Sequence, residues 1–344
     1  MKKTIFMFLV LALMSIQSFG NTRAQALLLH NGQGKSFDAD QLQEAVNEAE
    51  AGDVIYLSEG TFQPGTTDTL LIDKAVSLIG AGGDVTKVVR YIIIAVDGNP
   101  QLDNFQISGI HTNSILISKQ MRGLNISKCF VDGYFTATDS VFGVKMDRCY
   151  MQSLIPTKYV RSASVYNSCF NRIGGTTKNS FYFNSSGCDL VFVNCLISVI
   201  DSNYIDDSSN RGGRVNDATF INCIIGNISN WNNSQEYNAY INCLVRTSPK
   251  SGNVLNNCYV NDKLQVTTDG GNSGFPSCKF NNQELTNDML TENGYVGTDG
   301  NAIGAYGGSN PYSLKPDGLS IKESILRVDP DTRQLNVTLK VEKQ

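Results

Sequence analysis

The side chains best suited to chemistry gather in three polar stretches. The run DSNYIDDSSNRGGR holds Asp201, Asp206, Asp207, Arg211 and Arg214. An earlier stretch offers Arg172, Lys178 and Tyr182, and a later one, WNNSQEY, carries Trp231, the only tryptophan, and Glu236. Arginine and lysine, or Ca2+ held by clustered aspartates, can neutralise the carboxylate of an acidic sugar while a basic side chain removes the neighbouring proton. Two carboxylates from the same set suit glycoside hydrolysis instead. The aspartates and arginines of 201–214 are therefore the candidate catalytic groups. Arg172, Lys178, Tyr182, Trp231 and Glu236 are the candidate substrate-binding groups, and Ca2+ is the one cofactor the set admits. The competing reading is a solvated loop, since exposed turns are rich in Asp, Ser, Asn and Gly. A second basic set, Arg122, Lys128, Lys145, Arg148 and Arg161, reads as either a polyanion groove or an ordinary charged face.

Other chemistries lack material. The chain has two histidines, His30 and His111, too few for histidine-rich metal sites and poor grounds for a Ser-His-Asp or Cys-His mechanism. His111 follows FQISGI and reads as a turn residue. A net charge of −4 gives no footprint for nucleic acid.

The scaffold that must position these residues is legible in the cysteines. Seven of nine close a recurring phrase: LNISKC, VKMDRC, SVYNSC, VFVNC, TFINC, AYINC and VLNNC, ending at 129, 149, 169, 195, 223, 243 and 258. The spacings are 20, 20, 26, 28, 20 and 15. Leu124 and Ile126, like Val144 and Met146, alternate with polar residues at the two-residue period of a half-buried strand. Turn-forming Gly, Asn, Ser and Thr separate the phrases, so the period belongs to a β-solenoid rather than a helical repeat. The expected fold is all-β, a right-handed parallel β-helix of about ten coils at this repeat length. The two enlarged coils, ending at Cys195 and Cys223, carry the first two polar stretches and the next coil carries WNNSQEY, on loops free for function.

The cysteines are expected as buried free thiols. Nine is an odd number, and in-register strands set neighbouring Cβ atoms wider than a relaxed disulfide accepts. Asn194, Asn222, Asn242 and Asn257 each precede a cysteine, and their amides are expected to hydrogen-bond along the axis as a ladder.

At the amino end, Lys2 and Lys3 precede an apolar run over 5–16 and then small residues. This is the pattern of a signal peptide over 1–20, with cleavage as late as 24. Export to the periplasm, outer surface or medium follows, with no membrane span in the mature chain and a monomeric state. Residues 21–52 read as an opening segment with a cap helix: Asp38 as N-cap with Gln41 three residues on, an apolar face of Leu42, Ala45, Val46 and Ala49, and Gly52 as the stop. The β-helix is assigned to 53–300. A β-rich tail covers 301–344, with strands over 320–328 and 334–341 forming a hairpin around DPDT.

The run LQEAVNEAEAGDVIYLSEGTF at 42–62, followed by LLIDKAVSLIGAG at 70–82, resembles the opening of pectate-lyase-like β-helix proteins. TDGNAIGAYGGSNPYSL at 298–314 is similar to the closing segment of exported β-helix proteins of Gram-negative polysaccharide users. The resemblance implies the fold and a polysaccharide partner, either as a lyase or hydrolase or as a non-catalytic glycan-binding or surface protein. It names no activity, since the opening module occurs with several.

Overall fold

The computed structural model describes residues 24–64, 68–96, 105–154, 160–174, 189–201, 215, 217–229, 237–249, 252–267, 277–280, 283–309, 311–312, 319–328 and 335–343. The molecule is a parallel β-helix. Ten parallel strands, from Val54–Leu57 to Val254–Asn256, stack in a first sheet, and eleven, from Gly60–Phe62 to Tyr259–Val260, in a second. Among the described residues each coil gives one strand to each sheet, except that Gly60–Phe62 and Thr69–Ile72 both pair with Thr86–Ile94. A short third side is seen where Met121–Arg122 pairs with Val141–Phe142.

Register explains the core. In the first sheet Ile107, Ile126, Met146, Val165, Phe192, Phe220, Tyr240 and Leu255 occupy one column, and all but Leu255 are buried. Three aromatics in this column stack face to face: Phe192 on Phe220 at 4.9 Å and Phe220 on Tyr240 at 5.0 Å. Those separations match the strand spacing, so each ring lies on the next without tilting the sheet.

Between the sheets the chain turns through one residue in the left-handed region. That position is held successively by Gly109, Lys128, Arg148, Asn167, Asn194, Asn222, Asn242 and Asn257, with φ between 47° and 63°. Asparagine is among the few non-glycine residues that accept this conformation readily. The residue before each later cysteine is thus chosen first for the bend.

The same bend corrects the repeat. In the coil of Asn167, the next residue is Ser168, and Leu196 N donates to Ser168 O where its counterparts bond cysteine carbonyls. Ser168 therefore takes the cysteine place, while Cys169 pairs in register with Tyr150 and Leu196. Measured between left-handed residues, the coils run 19, 20, 19, 27, 28, 20 and 15 residues. Cys129, Cys149, Cys195, Cys223 and Cys243 are buried, unbridged and in the inner column, with Cys258 half-buried at its end. Each Sγ meets the carbonyl two residues back, and one from the preceding coil, as Cys195 does with Val193 at 3.3 Å and Val165 at 3.6 Å.

The amino-terminal end is closed. Strand Gln25–His30 pairs antiparallel with both Gln33–Asp38 and Val54–Leu57, and the helix Leu42–Glu48 buries Leu42, Ala45 and Val46. The capping expected from Asp38 is only half realised. Asp38 N donates to Gln41 Oε1, but Gln41 itself is the N-cap and makes no side-chain cap. The helix also stops before Gly52, with Ala49 as an extended C-cap, and Lys74 Nζ reaches in from the next coil to the carbonyls of Val46, Asn47 and Ala49 at 3.3, 2.6 and 2.8 Å. An ammonium there satisfies orphan carbonyls and complements the helix dipole.

Parallel pairing ends at Tyr259–Val260, well before residue 300. The described residues between 264 and 312 instead lie against the side of the coils. Leu264, Leu285, Leu290, Ala302, Ile303 and Ala305 form a second apolar cluster against the outward residues Cys169, Leu196, Ile224 and Leu244. The segment 296–308 follows the asparagine column down the axis. Asn257 Nδ2 donates to Val296 O, Asn242 Nδ2 to Thr298 Oγ1, and Asn194 Nδ2 to Ala305 O and Gly307 O at 3.0 and 2.7 Å. The expected axial ladder is realised at one step, Asn257 Nδ2 to Asn242 Oδ1 at 2.7 Å; amides of Asn194 and Asn242 serve the crossing segment. Gly304, at φ 84°, sits where a Cβ would press on the Ile224 side chain at 2.8 Å. The final strands Leu319–Val328 and Leu335–Lys343 form the expected antiparallel hairpin.

Candidate functional site

The residues first singled out fall largely outside the described part of the chain. Asp206, Asp207, Arg211, Arg214, Lys178, Tyr182, Trp231 and Glu236 lie outside the described residues, as does the segment 1–20. Asp201 ends the strand Leu196–Asp201, paired with Ser229. Arg172 is the described member of the set with a described surrounding: it lies in Cys169–Ile173, in register between Ser153 and Val199.

The second basic set is scattered. Lys145 is exposed on the outer side of the first sheet, next but one to Asp147. Lys128 and Arg148 hold left-handed turns, and Arg148 Nη1 donates to Asp147 Oδ2 at 2.7 Å. Arg122 lies on the third side, its guanidinium 4.4 Å from the Phe142 ring. Placed on two faces and a corner, these cations do not line one groove.

A different constellation does assemble, on the outward side of the second sheet at the margin of the second apolar cluster, to which Tyr150 belongs and against which Phe130 packs. His111, Phe130 and Tyr150 stand in one register row, with Lys87 beside His111. His111 opens the strand His111–Ile117 rather than sitting in a turn. Its Nε2 donates to Asp132 Oδ2 at 2.7 Å, the carboxylate being acceptor only. The Phe130 ring meets the imidazole edge-on at 6.1 Å.

A bulge aims Asp132 at this partner. Between Val131 and Phe135 the strand Phe130–Ala137 carries one residue more than its neighbour His111–Ile117. Such bulges re-aim side chains. Gly133 makes it possible, since a Cβ there would lie 2.5 Å from Ser114 Oγ and 2.7 Å from Asn113 O. Ser114 Oγ accepts the Tyr134 amide at 3.2 Å.

Two tyrosines flank the pair. Tyr91 is 40% exposed and Tyr134 38%. Tyr91 is in register with Ser114, and Tyr134 with Ser153, which leads to Arg172 one coil on. Two rings, an imidazole–carboxylate pair and a guanidinium thus share one flat face across five successive coils. Among the described residues, no group of three or more His, Cys, Asp or Glu is arranged to hold a metal ion. No helix among them is long and apolar enough to cross a membrane.

Sequence reasoning passed over His111, Asp132, Tyr91 and Tyr134. One signal was present: His111 and Asp132 are 21 residues apart, close to one coil, which brings them to neighbouring rungs. The missing piece was the bulge, which has no sequence mark beyond Gly133.

Comparison of the chain with protein-family models, curated proteins and solved structures finds no match.

Proposed function

We propose that the chain is an exported, pectate-lyase-like β-helix protein that engages polysaccharide along the outward face of its second sheet. The observation that carries this reading is the pair of part-exposed tyrosines flanking His111–Asp132, with Arg172 in the row beyond. Sugar rings present apolar faces that stack on tyrosine and hydroxyls or carboxylates that hydrogen-bond to imidazole, carboxylate and guanidinium. The strand spacing repeats these contacts along the axis, which suits an extended chain. The lysine-led apolar run over 1–16 supports export, and the opening and closing motifs support the family. The test is affinity electrophoresis against neutral and uronate polysaccharides, comparing the protein with Tyr91→Ala/Tyr134→Ala. Retardation by at least one polymer, lost in the double variant, is the expected result. No retardation across the panel, or equal retardation of both proteins, overturns the reading.

The His111–Asp132 pair favours a second reading, in which the same face performs elimination or hydrolysis. The carboxylate of Asp132 orients the imidazole, a side chain that transfers protons to groups within hydrogen-bond reach. Incubation with uronate polymers, followed by absorbance of the unsaturated product and by reducing ends, separates catalysis from binding. Asp132→Asn is the control.

A further inference from the structure

The two ends of the solenoid are treated differently. At the amino end, antiparallel strands and a helix cover the first coil. At the other end, the last coil exposes its core: Leu255 is 41% exposed and Val260, in register with the buried Val245, 47%. Leu255 is in register with the fully buried Tyr240, so it occupies a core position that lacks a following coil. Val254–Asn256 and Tyr259–Val260 are the terminal strands of their sheets. Open edges over an apolar core invite association, and solenoids need a terminal cap.

We propose that the carboxyl-terminal hairpin, Leu319–Val328 with Leu335–Lys343, is the cap for this end and docks across the last coil. Three observations point to it. In register, Val328 pairs with Leu335, Leu326 with Val337 and Ile321 with Val341, so apolar residue types meet at matched positions of the hairpin. A lone two-stranded hairpin is marginal in water and needs a surface to pack on. The tether also fits. Tyr312 N donates to Ala305 O, the carbonyl that also accepts from Asn194. Tyr312 therefore sits beside the Asn194 coil, three coils from the coil of Asn257. That is about 14 Å at the strand spacing, whereas the seven steps from Tyr312 to Leu319 span up to about 25 Å. A short tether also gives this segment an advantage over a second molecule, through an effective concentration in about the millimolar range.

Cys258 reports on the docking. It is half-buried in the last coil, while Cys129, Cys149, Cys195, Cys223 and Cys243 are buried. The experiment compares the full chain with its Leu326→Glu/Val337→Glu variant, measuring alkylation of each cysteine by peptide mass spectrometry and mass by light scattering. Expected are a monomer with Cys258 protected, and at least tenfold faster labelling of Cys258 alone in the variant. Equal labelling of Cys258 in both proteins overturns the proposal. A dimer that protects Cys258 only while associated also overturns it, making the cap a second copy. Should the variant also label at Cys243, it has lost its fold, and the full chain alone decides by hydrogen exchange. Slow amides at both 254–256 and 335–343 support docking, and fast exchange at either refutes it.

Discussion

Ser168 sits one coil beyond Cys149 and holds it: Ser168 Oγ accepts the Cys149 amide at 3.1 Å and donates to Tyr166 O at 2.7 Å. Cys149 and Ser168 are both buried. The serine reproduces the contact that cysteine thiols make to the carbonyl two residues back, and it adds an acceptor for the neighbouring coil.

Ser168→Ala is expected to destabilise the fold by about 1–3 kcal/mol, since it strands the buried Cys149 amide. Ser168→Cys restores the column and is expected to cost less. Denaturant midpoints of the two variants check the order; equal midpoints would remove the special role of the hydroxyl.

Asn194 carries the bend of its coil and two bonds to the crossing segment. Asn194→Ala loses both, with an expected cost of about 2–4 kcal/mol from the left-handed penalty and the two lost amide bonds, Ala305 O keeping its bond from Tyr312 N. Asn194→Gly keeps the bend and loses only the bonds, so it should fall between. Thermal melts of the three proteins give the ranking.

The buried thiols make stability sensitive to alkali. Burial pushes Cys129 up to about 12 and raises Cys149, Cys223 and Cys243 well above the ordinary thiol value of 9.0. Between about pH 9 and 12 the unfolded chain loses these protons while the folded chain keeps them. Folding is therefore favoured less as pH rises through that window, and the thiols contribute no slope below pH 8. Urea titrations from pH 7 to 11 should show the decline begin near 9. A flat profile would contradict a protonated column.

At the outward face, Tyr91→Ala and Tyr134→Ala should each weaken polysaccharide binding by about 1 kcal/mol, or roughly fivefold. Asp132→Asn should weaken it without changing the melting temperature by more than a few degrees, because the pair is half-buried at the surface. Isothermal titration with the retained polymer measures both.

The fold was the more legible part because it repeats. Leu124 and Ile126, or Val144 and Met146, announce inward alternation locally, and stacking copies the pattern from coil to coil. The slip at Cys169 shows the limit. A cysteine one place late still fits the phrase by eye, and only the left-handed Asn167 fixes which residue faces inward. The outward face was less legible because proximity there depends on register and on a bulge. Arg172 was identified from its type, yet its row with Ser153 and Tyr134 follows from pairing across coils. The asparagines were seen as a column, but the segment that shares their amides lies 39 to 113 residues away along the chain, beyond any local pattern.

That crossing segment changes how the solenoid comes apart. Coils that touch only their neighbours can fray one at a time from an end. Bonds from 296–308 to Asn194, Asn242 and Asn257 splice coils that are not adjacent, so opening any of them requires releasing the splice. The carboxyl-terminal half should melt as one cooperative block. Among the described residues, the coils between Gly109 and Asn167 make no such bonds through their left-handed residues and should open as a separate block.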